Sequence, residues 1–341
     1  MSTSTPRAAI IVPVASEVTG ATATGRQRAV GVALAVVAGF AAALQSRVNG
    51  TLATATGTAF GTAALSFGSG LVLLALALPF SRAGRTALGQ VATRLRRGGA
   101  DGLRWWECLG GLGGAFYVTS QGLTVDVLGV AAFTVALVAG QSVSSLVIDR
   151  LGLAPGGVRL VTVGRALGPL LTVVAVVVVS GAGLPTAALG LALFPLVAGV
   201  LQSFQQALNG RVRAAVRPPA GGVLAATFVS FLVGTAALLV VFGVSVAAGG
   251  APSGTLPPDL LLYSGGLLGI VFIALQAAVV HRIGVLLLGL GMIAGQVVGA
   301  LLLDAVTPGV TPPGVGTLVG AGLTLVAVAV PLLEGALRRR P

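Results

Sequence analysis

Apolar residues in this chain come in long, nearly unbroken blocks rather than in stripes. The blocks are about 20 residues each, the length at which a helix crosses a hydrocarbon core of roughly 30 Å, and they lack the two-residue alternation of a membrane barrel. They predict ten transmembrane helices at approximately 29–49, 58–80, 106–125, 127–148, 160–181, 187–208, 221–246, 260–280, 283–303 and 316–336. The polar interruptions carry further information. LQSFQQALNG, residues 201–210, puts three glutamines and an asparagine at the end of an apolar block, and LQSRVNG at 44–50 nearly repeats it.

Composition fixes the solvent. The chain is 55% hydrophobic and only 8% charged, with a mean hydropathy of +1.03, far from the quarter of charged residues usual in soluble domains. The fold class is therefore an all-α integral membrane protein. Residues 1–28 are rich in Ser, Thr and Ala, and Pro13 breaks their one apolar stretch. They are expected to form a disordered cytoplasmic tail, with a weak signal peptide as the alternative, and residues 337–341 form a second short tail.

The net charge of +12 does not point to nucleic acid, because the arginines sit between apolar blocks and are not interleaved with aromatics. All twenty basic residues are Arg. The absence of lysine removes a phosphate-loop lysine and any Schiff base, so neither ATP hydrolysis nor lysine-centred catalysis is expected. One cysteine, Cys108, and one histidine, His281, supply neither an internal disulfide nor a zinc site. No cofactor, metal or enzymatic activity is predicted. Arginine position instead reports topology. The even-numbered connections hold Arg82, Arg85, Arg94, Arg96, Arg97, Arg104, Arg150, Arg159, Arg165 (just inside span five), Arg211, Arg213, Arg217 and Arg282, and each terminus carries three more. Only Arg47 falls on the other side. Ten spans with both termini cytoplasmic account for this partition.

The chain also repeats itself. A shift of 155 places Gly114, Gln121, Gly129, Gly140, Gln141 and Asp149 on Gly269, Gln276, Gly284, Gly295, Gln296 and Asp304, and a shift of 160 places Gly39, Gln45, Asn49 and Gly50 on Gly199, Gln205, Asn209 and Gly210. The units are residues 29–181 and 182–336, five helices each. A unit with an odd number of crossings ends on the opposite side, so its second copy enters upside down. Two inverted five-helix repeats are a recurrent plan of secondary transporters, with the substrate site between the halves.

Gln202, Gln205, Gln206 and Asn209 recur at i, i+3, i+4 and i+7, one face of a helix. That face cannot look at lipid, where unpaired amides cost several kcal/mol. The equivalent stripe in the first copy is Ala42, Gln45, Ser46 and Asn49. The shared members, Gln45 with Gln205 and Asn49 with Asn209, are expected to pair with backbone or with the opposite half. Gln202 and Gln206 have no amide counterpart and are candidates to face substrate, with simple packing as the alternative. Gln141 and Gln296 lie in small-residue ladders, Ala136, Gly140, Ser144 and Gly291, Gly295, Gly299, whose spacing suits close helix crossing. They either mark a pseudo-twofold axis and line the cavity or sit in a helix crossing as satisfied amides.

Five-plus-five spans, the two Gln/Asn motifs and FVSFLVGTAALLV at 228–240 resemble the YdcZ-like family of the drug/metabolite transporter superfamily, a group of EamA-like permeases, over residues 29–336. The first copy departs from Ser230, Phe231 and Gly234 by reading SFGSG at Ser66, Phe67 and Gly70. The resemblance implies a multi-pass permease of the bacterial inner membrane that exports small metabolites or drug-like solutes.

The remaining charges are read from position. Arg47 points about 200° away from Gln45 and Asn49 and is expected to snorkel to external headgroups, an anchor for an anionic substrate being the alternative. Asp126, Asp149, Asp259 and Asp304 fall at span ends, where solvation is expected, so facilitated diffusion competes with proton antiport. The segment 81–104, with Leu88, Val91, Ala92 and Leu95 on one face, is expected to lie on the anionic inner leaflet. Trp105 and Trp106 fit an interfacial belt. The partners expected are the bilayer and an unidentified small solute. A monomer suffices for the architecture, with a homodimer as the alternative. Against a secondary transporter stands a non-transporting scaffold or sensor, because interhelical amides serve both.

Overall fold

The computed structural model describes residues 25–98, 102–153, 190–217, 221–307 and 312–337, with scattered positions between 167 and 178. Its helices are α1 (Gly25–Thr56), α2 (Ala59–Ala77), α3 (Arg82–Arg97), α4 (Gly110–Leu151), α5 (Leu193–Ala214), α6 (Gly222–Gly249), α7 (Gly265–Val306) and α8 (Val315–Leu337). No strand occurs among the described residues. Five segments there are long and apolar enough to cross a membrane: Ala29–Thr56, Ala59–Phe80, Trp105–Ile148, Gly222–Gly249 and Leu288–Val306. The amides of α5 keep its hydropathy below theirs.

Local chemistry sets the breaks. Gly57 takes φ 68° to turn the chain between α1 and α2, and Thr58 caps α2 by accepting from the Gly61 amide at 3.1 Å. Spans three and four run together as α4, broken at Gly129, whose φ of 78° and ψ of 158° lie outside the helical range. Spans eight and nine run together as α7. Gly25–Arg28, assigned above to the tail, are already helical. Residues 1–24 and most of span five lie outside the described residues.

The first helix of each sequence copy packs along a helix of the other copy, α1 on α7 and α5 on α4. Glycines make the approach possible. A Cβ at Gly39 would overlap the Met292 carbonyl and meet the Gln296 nitrogen, and one at Gly199 would overlap the Leu137 carbonyl and meet the Gln141 nitrogen. These are the same contact under the two shifts. Gly295 on Val36 repeats as Gly140 on Leu196. Such crossings gain dispersion and close backbone approach where lipid offers no hydrophobic drive.

Phe67 of α2 and Phe231 of α6 pack as a tilted pair with ring centroids 5.0 Å apart at 32°. Each ring fills the space left by a glycine of the other motif, Phe231 at Gly70 and Phe67 at Gly234. The two Ser-Phe-x-x-Gly motifs therefore occupy matching places, and SFGSG departs only at the intervening positions. The α3 segment is a helix as expected, yet its apolar face does not all face lipid. Ala87 and Val91 pack with Leu103, Cys108, Val212, Val216 and Ala225, and Gln90 pairs with both backbone groups of Arg217, at 2.5 and 2.9 Å. Ala92 and Leu95 stay exposed.

Candidate functional site

The stripe of α1 is sealed. Gln45 donates to the Gly265 carbonyl at 2.8 Å, Asn49 donates to Gln121 Oε1 at 2.7 Å, and Gln121 donates to Ser46 Oγ at 2.9 Å. The Tyr117 hydroxyl lies 3.4 Å from Ser46 Oγ and within hydrogen-bonding reach of Gln121 and Gln296. Every member of this network is buried. Two acceptors, Asn49 Oδ1 and Ser66 Oγ, have no partner. Both face the bare Cα of Gly265 beside a cavity of about 60 Å³ lined by Asn49, Leu52, Ser66, Ser69, Tyr263 and Gly265.

The stripe of α5 is differently placed. Gln202 is buried and accepts from Gln141 Nε2, while Ser203 Oγ donates to the Gln141 carbonyl at 3.1 Å. Gln205 donates to Ser230 Oγ at 3.0 Å, and Asn209 Oδ1 sits against Gly110 as Asn49 Oδ1 sits against Gly265. Gln206 is exposed. At 100° per residue it lies about 40° around α5 from Gln202, on the face that also buries Pro195, Ala198 and Gly199. The exposed Leu193 and Val197 lie on the opposite side. Gln206 is therefore exposed on the side of α5 that carries its buried residues, away from the exposed Leu193 and Val197. Its counterpart in α1, Ser46, is 2% exposed.

The chain matches the family described as "Putative inner membrane exporter, YdcZ" over residues 30–178 and again over 190–330. It belongs to this family. The two-part match spans both sequence copies of this YdcZ-family member, a multi-pass protein of the inner membrane. A crystal structure described only as "Crystal structure of protein" is similar in fold, with a TM-score of 0.54 and 20% identity over 92% of this chain and 99% of that one. No curated protein matches.

Two charged residues of this YdcZ-family chain are not where sequence position put them. Arg47 does not snorkel. It is 9% exposed and donates from Nη2 to Asp304 Oδ1 at 2.6 Å. Asp304 is not solvated at a helix end but 3% exposed, and it also accepts from the Val130 and Ala131 amides at 3.0 and 2.7 Å. Those amides open the part of α4 that follows the Gly129 break, where a carboxylate is favoured by orphan N–H groups and the helix dipole. Arg47 does point away from Gln45, but residues 45–50 of α1 are buried on all sides, so the far side of the helix meets protein. Asp126 and Asp259 are exposed, and Asp259 caps Leu261 N at 2.9 Å. The side chains of Asp149, Gln276, His281 and Arg282 lie outside the described residues.

Of the candidate amides, the structure brings Gln141 to Gln202, Gln45 and Asn49 into the network of Gln121, and Gln296 to Tyr117. Gln141 and Gln296 are thus engaged with different partners, and the pair that meets between the motifs is Phe67 with Phe231. Sequence reading missed Tyr117, Ser66 and Ser230 as polar lining, and it missed Glu107. Glu107 accepts from Arg211 Nη1 at 2.8 Å and from the Arg104 amide at 2.8 Å. Trp106 lies beside both arginines, 5.9 Å from each guanidinium carbon, while Trp105 is 71% exposed. No group of His, Cys, Asp and Glu suited to a metal occurs among the described residues.

Proposed function

We propose that this protein is a secondary exporter in which two inverted five-helix repeats, residues 29–181 and 182–336, alternate in exposing one amide-lined pathway. The observation that carries this reading is the contrast between equivalent positions: Ser46 is buried inside the network of α1, whereas Gln206 of α5 is exposed. A repeated stripe that is closed in one copy and open in the other is what a carrier stopped at one end of its cycle presents. With the arginine-rich connections and both termini in the cytoplasm, the open stripe faces inward and the sealed one outward. Substrate entering from the cytoplasm would meet Gln206, Gln205 and Asn209 first, then Gln202 and Gln141, with Gln45, Asn49 and Gln296 completing the site when the halves rock.

The lining is amide and hydroxyl, which selects solutes by hydrogen bonding. A wrong solute leaves buried polar groups unpaired, at about 1–3 kcal/mol each. The deciding experiment is flux of a solute panel in liposomes holding the purified protein. Uptake or release above empty liposomes, reduced by Gln141→Ala or Gln296→Ala without loss of folded protein, is the expected result. No flux for any solute by well-folded protein would favour a scaffold or sensor, which the interhelical bonds of Gln45 and Gln205 would also suit.

A further inference from the structure

The Arg47–Asp304 pair is a buried ion pair between the two sequence copies that the repeat does not reproduce. Asp304 has a sequence counterpart in Asp149, but the position equivalent to Arg47 is Ala207, which is buried against its neighbours. An ion pair that joins α1 to α7, with its carboxylate seated on the broken end of α4, can therefore form where the α1 stripe closes and has no arginine to form it where the α5 stripe closes. A contact made in only one of two otherwise similar states shifts the equilibrium toward that state.

We infer that the Arg47–Asp304 pair is a one-sided latch, which holds the α1 side shut and makes the conformation open at the α5 stripe the resting state. This rests on the pathway reading above. Three features of the geometry support it. The two side chains are 10% and 4% exposed, so the pair is little screened and discriminates strongly between a docked and a withdrawn α1. It lies one helical turn or less from Ser46 and Asn49, the sealed members of the stripe. The carboxylate touches three helices at once, α1 through Arg47, α4 through Val130 and Ala131, and its own α7, so parting any of them costs the contact. Among the described residues, Arg47 is the charged group placed against it. The functional consequence is directional: with the arginine-rich side inside, a carrier resting open to the cytoplasm is loaded there first, as export requires.

The test compares two cysteines at equivalent places, Ser46→Cys and Gln206→Cys, each in a Cys108→Ala background, using a membrane-impermeant maleimide on intact cells and on inverted vesicles. In the parent chain, Ser46→Cys should be unreactive on cells and Gln206→Cys reactive in vesicles. Adding Arg47→Gln with Asp304→Asn, which removes both charges together, should raise Ser46→Cys labelling on cells about tenfold and lower Gln206→Cys labelling in vesicles, as a shifted population does. Arg47→Lys alone, which keeps the pairing charge, should leave Ser46→Cys protected and shows that the charge, not the bulk, matters. Ser46→Cys remaining protected in the double variant would overturn the latch. So would a rise at both positions, which means general loosening. Gln206→Cys unreactive from either face in the parent chain would instead bring down the pathway reading itself.

Discussion

Adding one methyl group at either copy of the repeated crossing should weaken the protein, and by a similar amount at each. In Gly39→Ala the new Cβ would lie 2.7 Å from the Gln296 nitrogen and 2.9 Å from the Met292 carbonyl carbon, and in Gly199→Ala 2.8 Å from the Gln141 nitrogen and 3.0 Å from the Leu137 carbonyl carbon, where ordinary contact begins at 3.4 Å. The obstacles are helical backbone, which cannot rotate aside as a side chain can. Each crossing must then widen by roughly 0.5–1 Å, forfeiting about a quarter to a half of the dispersion well of the contacts around it. Overpacking of this kind costs about 1–3 kcal/mol, against a gain of about 0.8–1 kcal/mol from the better helix propensity of Ala. Gly243→Ala is the control, because nothing lies within 4 Å of its added Cβ. Denaturant titration of helical signal in detergent should place Gly39→Ala and Gly199→Ala below wild type by similar amounts, and Gly243→Ala at or above it. Stabilities for the first two that equal the control would refute the claim that backbone contact at these glycines holds the halves together.

Other outcomes follow from the same geometry. Gln202→Ala and Gln206→Ser should change which solutes compete for transport, whereas Gln205→Ala and Asn209→Ala should chiefly lower stability; identical competition profiles for all four at matched protein levels would remove selectivity from the stripe. Single cysteines at Leu184 or Ser253 should react with an impermeant thiol reagent on intact cells, and those at Gly99 or Arg213 should not, since labelling of Arg213→Cys in sealed cells would reverse the orientation. Glu107→Gln, which strips the buried partner of half-exposed Arg211, should cost about 1–2 kcal/mol, whereas Asp259→Asn, an exposed cap replaced by an equally good one, should change stability by less than about 0.5 kcal/mol.

The all-α membrane character could be read from the sequence because membrane helices are written in long apolar blocks, and the repeated glycines sit where backbones touch. The equivalence of Gly39 with Gly199 is a sequence fact whose cause is the Met292 and Leu137 carbonyls. What could not be read is pairing between distant helices. Angular position on α1 correctly turned Arg47 away from Gln45, but it could not say that α7 and α4 cover that side, so headgroups were the natural expectation. Asp304 at a span end looked solvated for the same reason. The one available signal was the mismatch between copies, a repeated aspartate and an unrepeated arginine. The Gly129 break was also out of reach, since a glycine within an apolar block marks a packing contact and a positive φ alike. In the candidate site the amides stand out in the sequence because they are polar in a lipid solvent; Tyr117 does not, because one aromatic in an apolar block looks like core.

The swapped packing of α1 and α5 has a consequence for how the chain is made. Gln45 waits for an acceptor 220 residues downstream, and Arg47 for a carboxylate 257 residues downstream. At a synthesis rate of about 5–20 residues per second, that delay is roughly ten to fifty seconds. During it α1 is already inserted, and although Asn49 can meet Gln121 of its own copy, Gln45 and Arg47 still lack the acceptors that α7 will supply. A chain stopped before α7 is complete therefore lacks the native partners of Gln45 and Arg47. Until its last third arrives, those two side chains of α1 must find other partners, in the insertion machinery or on the early neighbours of α1.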